Sequence, residues 1–287
     1  METNFFVKTH GLGNEYIVLD QSAIDFELTR ERIIQLCNIH VGIGSDGILL
    51  KVPAVKADFG LRILNPDGSE AEKSGNGLRI FAKYLFDFGF ASQTEFTIAT
   101  LGGIATAHIL EQVNGKAFMI RVDIGKANFK SDEIPVDFPK PECFDEAVVI
   151  DGIEYRIHCV SVGNPHCVVV MDQLDEAEIK RVGPQLENHL MFPNRINVQF
   201  VRVVSREVVE ALIWERGAGF TQASGSSSSA IGAVLVKKGL TDRKIRVVMP
   251  GGSLKIEVDE NWNICLTGEV REIATGVLSK ELFWHGA

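Results

Sequence analysis

Residues 65–77 read NPDGSEAEKSGNG, and residues 215–227 read ERGAGFTQASGSS. Each follows an apolar, strand-like run, Leu61–Leu64 in one case and Ala211–Trp214 in the other. Each passes through polar and small residues and leads directly into an amphipathic stretch of helical spacing. After Ser74 the apolar positions are Leu78, Phe81, Ala82 and Leu85; after Ser224 they are Ile231, Val234 and Leu235. A helix start carries unpaired backbone N–H groups and the positive end of the helix dipole, and nearby small residues let a ligand approach them. Both stretches therefore read as anion sites at helix N-termini.

Working outward, the two stretches lie 150 residues apart, and other features repeat at the same offset. Gly13-Asn14, followed by the apolar run from Ile17, meets Gly163-Asn164, followed by Cys167 to Val170. Ser74-Gly75 meets Ser224-Gly225, and the helices after them end at Gly89 and Gly239. Gly102-Gly103 meets Gly251-Gly252, one residue out of step. One such match is ordinary turn chemistry; five in order at nearly one offset indicate a duplicated unit. Further strands are expected at Glu95–Ile98, Phe118–Val122, Val148–Ile150, Val198–Val204 and Arg246–Met249, with a third helix opening at Thr29. The pattern is α+β, with strands dominating and the unit duplicated. The expected division is 1–125 and 126–274, with the hinge near Gly125. The Pro-rich stretch from Pro135 to Pro141 reads as a surface loop.

Composition limits the function classes. With 287 residues, 45% hydrophobic, the chain has enough apolar material for two cores, and its net charge of -9 with scattered basic residues argues against nucleic acid. No signal-like N-terminal run or membrane-length apolar stretch is seen, so a cytoplasmic protein is expected. Cys37, Cys143, Cys159, Cys167 and Cys265 are widely spaced, odd in number and outside any CxxC pair, which reads as buried thiols rather than a disulfide framework or zinc site. Gly42-x-Gly44-x-x-Gly47 fits the dinucleotide fingerprint in form only, because it follows a helix and precedes a strand.

Two helix starts facing one substrate would hold a carboxylate between them and place Ser74 and Ser224 on opposite sides of the adjacent carbon. That arrangement suits epimerisation, in which one group removes the α-proton and another delivers a proton to the opposite face. The amides would stabilise the enolate-like carbanion, and no lysine-centred motif calls for pyridoxal phosphate, so no cofactor and no metal are expected. Taken singly, each serine reads first as a helix N-cap; as a symmetry-related pair the functional reading gains.

These stretches, together with His10–Asn14, Gly42–Gly47, Gly163–His166 and Arg195–Val198, resemble the diaminopimelate epimerase family over essentially the whole chain. Proline racemase and methylitaconate isomerase resemble it more distantly. The resemblance implies two pseudo-symmetric domains, each a curled, mostly antiparallel sheet around a central helix, with residues 275–287 returning to the first domain. It implies that Asn14, Asn65, Asn164 and Asn197 line a pocket for a small amino acid. It implies that Glu215 and Arg216 bind the distal ammonium and carboxylate, a division that a forked guanidinium and an acceptor-only carboxylate suit. It further implies that Gly75, Asn76, Gly225 and Ser226 donate backbone N–H bonds to the reacting carboxylate, and that a homodimer forms. His166 falls near the reacting centre, where it serves chemistry or structure.

The family pattern has cysteines where this chain has Ser74 and Ser224. A hydroxyl is a far weaker acid than a thiol and needs an activating partner, for which His166 and Glu215 are candidates. With Lys73 and the run Ser226–Ser229, these differences mark a divergent subgroup. Three functions stay open: an LL-/meso-diaminopimelate epimerase serving lysine and peptidoglycan precursors, a catalytically silent diaminopimelate-binding homologue, and an isomerase or dehydratase of another small acid.

Overall fold

The computed structural model describes residues 2–283. The chain forms two compact units, one running up to Val122 and resuming at Gly268, the other Asp123–Thr267. Of the 275–287 segment expected to return to the first unit, residues 284–287 lie outside the described residues.

The first unit begins with the hairpin β1 (Phe5–Gly11) and β2 (Asn14–Asp20), followed by α1 (Arg30–Cys37), β3 (Ile48–Val52), β4 (Phe59–Leu64) and the short β5 (Glu70–Ala71). Then come α2 (Gly75–Asp87), β6 (Glu95–Thr100), β7 (Gly103–Val113) and β8 (Lys116–Lys126). Pairing is antiparallel except for β2 with β3 and β4 with β6. The second unit contains β9 (Phe144–Ile150), β10 (Ile153–Ser161), β11 (Pro165–Val170), α3 (Glu176–Glu187), β12 (Asn197–Val203), β13 (Val208–Glu215) and β14 (Gly219–Thr221). It continues with α4 (Gly225–Lys237), β15 (Lys244–Met249), β16 (Gly252–Val258) and β17 (Asn263–Glu269). Here the parallel pairs are β11 with β12 and β13 with β15, the counterparts of those in the first unit. A final strand, β18 (Arg271–Val277), pairs antiparallel with β1. The fold is thus α+β with two pseudo-symmetric, mostly antiparallel curled sheets.

A helix lies at the centre of each sheet. In α2, Leu78, Ile80, Phe81, Ala82 and Leu85 are fully buried, and ten of its thirteen residues are buried in all. A helix apolar around its circumference must be enclosed on all sides. α4 is enclosed to the same degree although it opens with four consecutive serines. Two of the hydroxyls are satisfied inside the helix: Ser228 donates to Ser224 O at 2.8 Å and Ser229 to Gly225 O at 2.9 Å. Both helices end alike. Gly89 (φ 74°) and Gly239 (φ 71°) take the left-handed conformation, and the next residue's N–H returns to Leu85 O or Leu235 O. This is a Schellman closure, which glycine makes without steric cost.

The helix α3 is absent from the sequence expectation, its amphipathic pattern being interrupted by Gly183-Pro184. Asp175 caps it, and Glu176 and Glu178 favour its N-terminal end. The loop around Pro135 is not wholly superficial, since Ile134 and Val136 tuck into the second core beside Tyr155, Phe192 and Phe200.

The enclosed helix makes the first core sensitive to truncation. Phe81→Ala removes a fully buried ring and should destabilise the first unit by about 3–5 kcal/mol in urea denaturation. A loss below about 1 kcal/mol would contradict the central position of α2.

Candidate functional site

In the first unit β4 runs into a tight turn. Asn65 N–H bonds Ser69 O at 2.8 Å, Gly68 N–H bonds Asn65 O at 2.9 Å, and the Asn65 side chain donates to Ser69 Oγ at 2.9 Å. The chain then reaches Ser74, whose extended backbone (φ −140°, ψ 124°) lets its Oγ cap α2 by accepting Gly77 N–H at 3.0 Å. Ser74 Oγ also lies 3.5 Å from the Tyr16 hydroxyl. The cap takes the third amide of the helix, and among the described residues no acceptor meets the first two, Gly75 and Asn76. The Asn76 side chain, nearly buried, donates to Asn14 Oδ1 at 3.0 Å. Asn14 stands at the head of β2, directly after the turn through Leu12 (φ 56°) and Gly13 (φ 86°). Ser74, Gly75, Asn76 and Asn14 are therefore one cluster, with Asn65 at the entrance to the same loop.

The second unit repeats this geometry. Ser224 (φ −146°, ψ 130°) caps α4 by accepting Ser227 N–H at 3.4 Å and lies 3.5 Å from Ser226 Oγ. The amides of Gly225 and Ser226 are left open in the same way. His166 and Asn197 sit opposite each other on the parallel strands β11 and β12. The Gln199 amide nitrogen faces His166 Nδ1 at 3.0 Å, so the ring proton resides on Nε2 and is donated to Asn164 Oδ1 at 2.9 Å. The same Gln199 nitrogen reaches Ser227 Oγ at 3.1 Å, which ties the row to the first turn of α4. Asn197 donates to Pro165 O at 2.8 Å and accepts Arg216 N–H at 3.0 Å.

His166 is fully buried, and burial pushes its pKa down to about 3, with Arg216 adding to the depression and the Gln199 bond opposing it. The imidazole is neutral at physiological pH. Neither serine hydroxyl has a carboxylate or imidazole within hydrogen-bond distance among the described residues. Arg79, on α2, is completely buried; desolvation pulls its pKa down to about 9 against the attraction of Glu269.

Two contributors escaped the sequence reading. Gln199 is the polar position in the apolar run Val198–Val201, a break in β12 that carried a usable signal. Glu187, at the end of the unexpected helix α3, is a buried carboxylate that accepts from Trp214 Nε1 at 2.7 Å, Gly217 N–H at 2.9 Å and Arg195 Nη1 at 3.2 Å. These bonds pin the end of β13, from which Glu215 and Arg216 project. Arg216 itself donates to Asn194 O at 3.1 Å. An open hollow of about 490 Å³ beside Asp20, Lys51 and Phe90 is lined by none of these residues.

Each unit thus encloses a helix whose serine-capped N-terminus leaves two amides open. A solved hydroxyproline epimerase from Agrobacterium vitis superposes with a TM-score of 0.69 at 13% identity, covering 97% of this chain and 92% of its own. The family model described as "Diaminopimelate epimerase" matches residues 6–130 and 158–273, and this chain belongs to that family. A protein of Nostoc sp. named "Diaminopimelate epimerase 2" is 46% identical over 97% of this chain and 96% of its own length. A "Diaminopimelate epimerase" of Acetivibrio thermocellus is 40% identical over 94% and 97% respectively.

The geometry has a pH consequence. Since His166 has a folded value near 3, below its ordinary 6.5, the unfolded chain takes up this proton first as pH falls. Its contribution to stability is complete above about 6.5 and is lost as pH falls from there toward 3. Ring nitrogen NMR should find His166 neutral at pH 5; a titration midpoint above 6 would contradict the buried pairing.

Proposed function

We propose that this chain is a cofactor-independent epimerase interconverting LL- and meso-diaminopimelate. The observation that carries this reading is the matched pair of serine-capped helix starts, each leaving two amides open. Gly75 and Asn76, with Gly225 and Ser226, bind the reacting carboxylate and stabilise the carbanion by preorganised donors. Asn14, Asn65, Asn164 and Asn197 line the pocket, while Glu215 takes the distal ammonium and Arg216 the distal carboxylate. Ser74 and Ser224 exchange protons with opposite faces of the α-carbon, which requires both helix starts to meet one substrate. Neutral His166 has both ring nitrogens engaged, so of the two candidate activators it suits holding Asn164 in place rather than taking a proton. Each unit is an epimerase-like domain. The protein works in the cytoplasm on lysine and peptidoglycan precursors, as a homodimer, without metal or nucleic acid.

A second reading, a silent diaminopimelate-binding protein, is favoured by one observation: neither hydroxyl has a base partner among the described residues. Proton NMR of LL-diaminopimelate in deuterated water separates the two. Loss of the α-proton signal with appearance of the meso isomer is expected. No exchange, with saturable calorimetric binding and activity in the Ser74→Cys/Ser224→Cys variant, would select the silent binder.

A further inference from the structure

Four polar side chains of the first unit form an unbroken hydrogen-bonded file. Arg79 Nη2 donates to Asn76 Oδ1, Asn76 Nδ2 donates to Asn14 Oδ1 at 3.0 Å, and Asn14 Nδ2 donates to Asp46 Oδ2 at 2.9 Å. The two ends differ in kind from the middle. A guanidinium only donates and an ionised carboxylate only accepts, whereas a carboxamide does both and can be turned end for end. Between an obligate donor and an obligate acceptor, each carboxamide has a single orientation that satisfies every bond. Turning either one sets donor against donor or acceptor against acceptor, a mismatch that costs most at the buried Asn76 end.

We propose that Arg79 and Asp46 are positioning residues whose opposite charges fix the orientation of the Asn14 and Asn76 carboxamides. For substrate binding this rests on the functional reading above. Fixed in this way, Asn14 keeps one unused amide hydrogen, the group that a substrate carboxylate accepts, and the Asn76 side chain is held so that its backbone N–H stays presented at the helix start.

Both ends of the file are built into the fold. Arg79 is 0% exposed, and its Nε and Nη1 find no hydrogen-bond partner among the described residues. Interior packing alone would be better served by an apolar side chain, since a buried guanidinium with unmet donors is unfavourable. A Cβ on Gly11 would lie 3.1 Å from Arg79 Nη2, so the absence of a side chain there leaves the guanidinium room against Asn76. At the other end, the segment Gly42–Gly47 is held by bonds to its own surroundings. Its Gly44 and Ser45 amides bond Leu36 O and Cys37 O, and Ser45 Oγ donates to Glu15 O and Gly47 O. Asp46 N–H bonds Glu15 O at 3.1 Å while Asp46 Oδ2 accepts Glu15 N–H at 3.0 Å. This reciprocal pair clamps the carboxylate against the head of β2, one residue from Asn14.

The test uses the full chain with Asp46→Ala, Asp46→Asn, Arg79→Lys and Arg79→Met, read by side-chain amide NMR and by kinetics. In the unmodified protein one amide hydrogen each of Asn14 and Asn76 should be protected from exchange. Asp46→Ala should remove protection at Asn14 and also shift the Asn76 signals one link away. Unchanged Asn76 signals in that variant would overturn the file. With LL-diaminopimelate, Asp46→Ala should raise KM about tenfold with kcat within about threefold. Arg79→Lys, which keeps one donor, should lose less than Arg79→Met. Altered amide signals with KM and calorimetric Kd within about twofold of the unmodified protein would overturn the positioning role. Asp46 is exposed, so its variants decide the matter even if Arg79→Met does not fold. If the unmodified protein neither binds nor turns over diaminopimelate, the functional reading fails while the amide signals still decide the file.

Discussion

Everything in this fold depends on enclosing a helix within a curled sheet while leaving its first turn open. A helix start has four amides without internal partners, and burial obliges each to find one. Of the first three helical amides Ser74 and Ser224 each satisfy one and leave two open, so both units carry a preformed demand for acceptors where small residues give access. An anion meets that demand without any rearrangement of the backbone. The proposed recognition of a carboxylate rests on how the helices are buried.

Around this shared feature the two units differ. In the first, the asparagine at the strand head reaches the helix directly, through the bond between Asn76 and Asn14. In the second, the link is longer: Asn164 to His166, His166 to Gln199, and Gln199 to Ser227. The second unit also bears Glu215 and Arg216 on a strand end pinned by buried Glu187. Both halves offer amides, while the charged side chains that would read a distal group come from one half only. A duplicated fold has in this way acquired a polarity.

Much of this was legible in the sequence, because capping, helix termination and strand periodicity act over short distances. The serine caps, the glycine closures at Gly89 and Gly239, and the repeat followed from local chemistry. What stayed hidden depends on contacts between residues far apart in the chain. Glu187 lies 27 residues before Trp214, and Asp46 lies 32 after Asn14. Arg79 in particular reads as the polar face of an amphipathic helix until the structure shows that α2 has no solvent face there. The helix α3 was missed because its proline and glycine weaken the local signal, while packing of Gly183 against Trp214 supports it in the fold.

The central claim is that two hydroxyls act on opposite faces of one carbon. The most direct measurement is deuterium uptake into LL- and meso-diaminopimelate, assayed separately, with Ser74→Ala and Ser224→Ala. The account predicts that each variant incorporates deuterium into one epimer only, without inversion, and that the two variants choose opposite epimers. If both variants lose the same epimer, or both exchange each epimer as the unmodified protein does, the two-sided assignment is wrong.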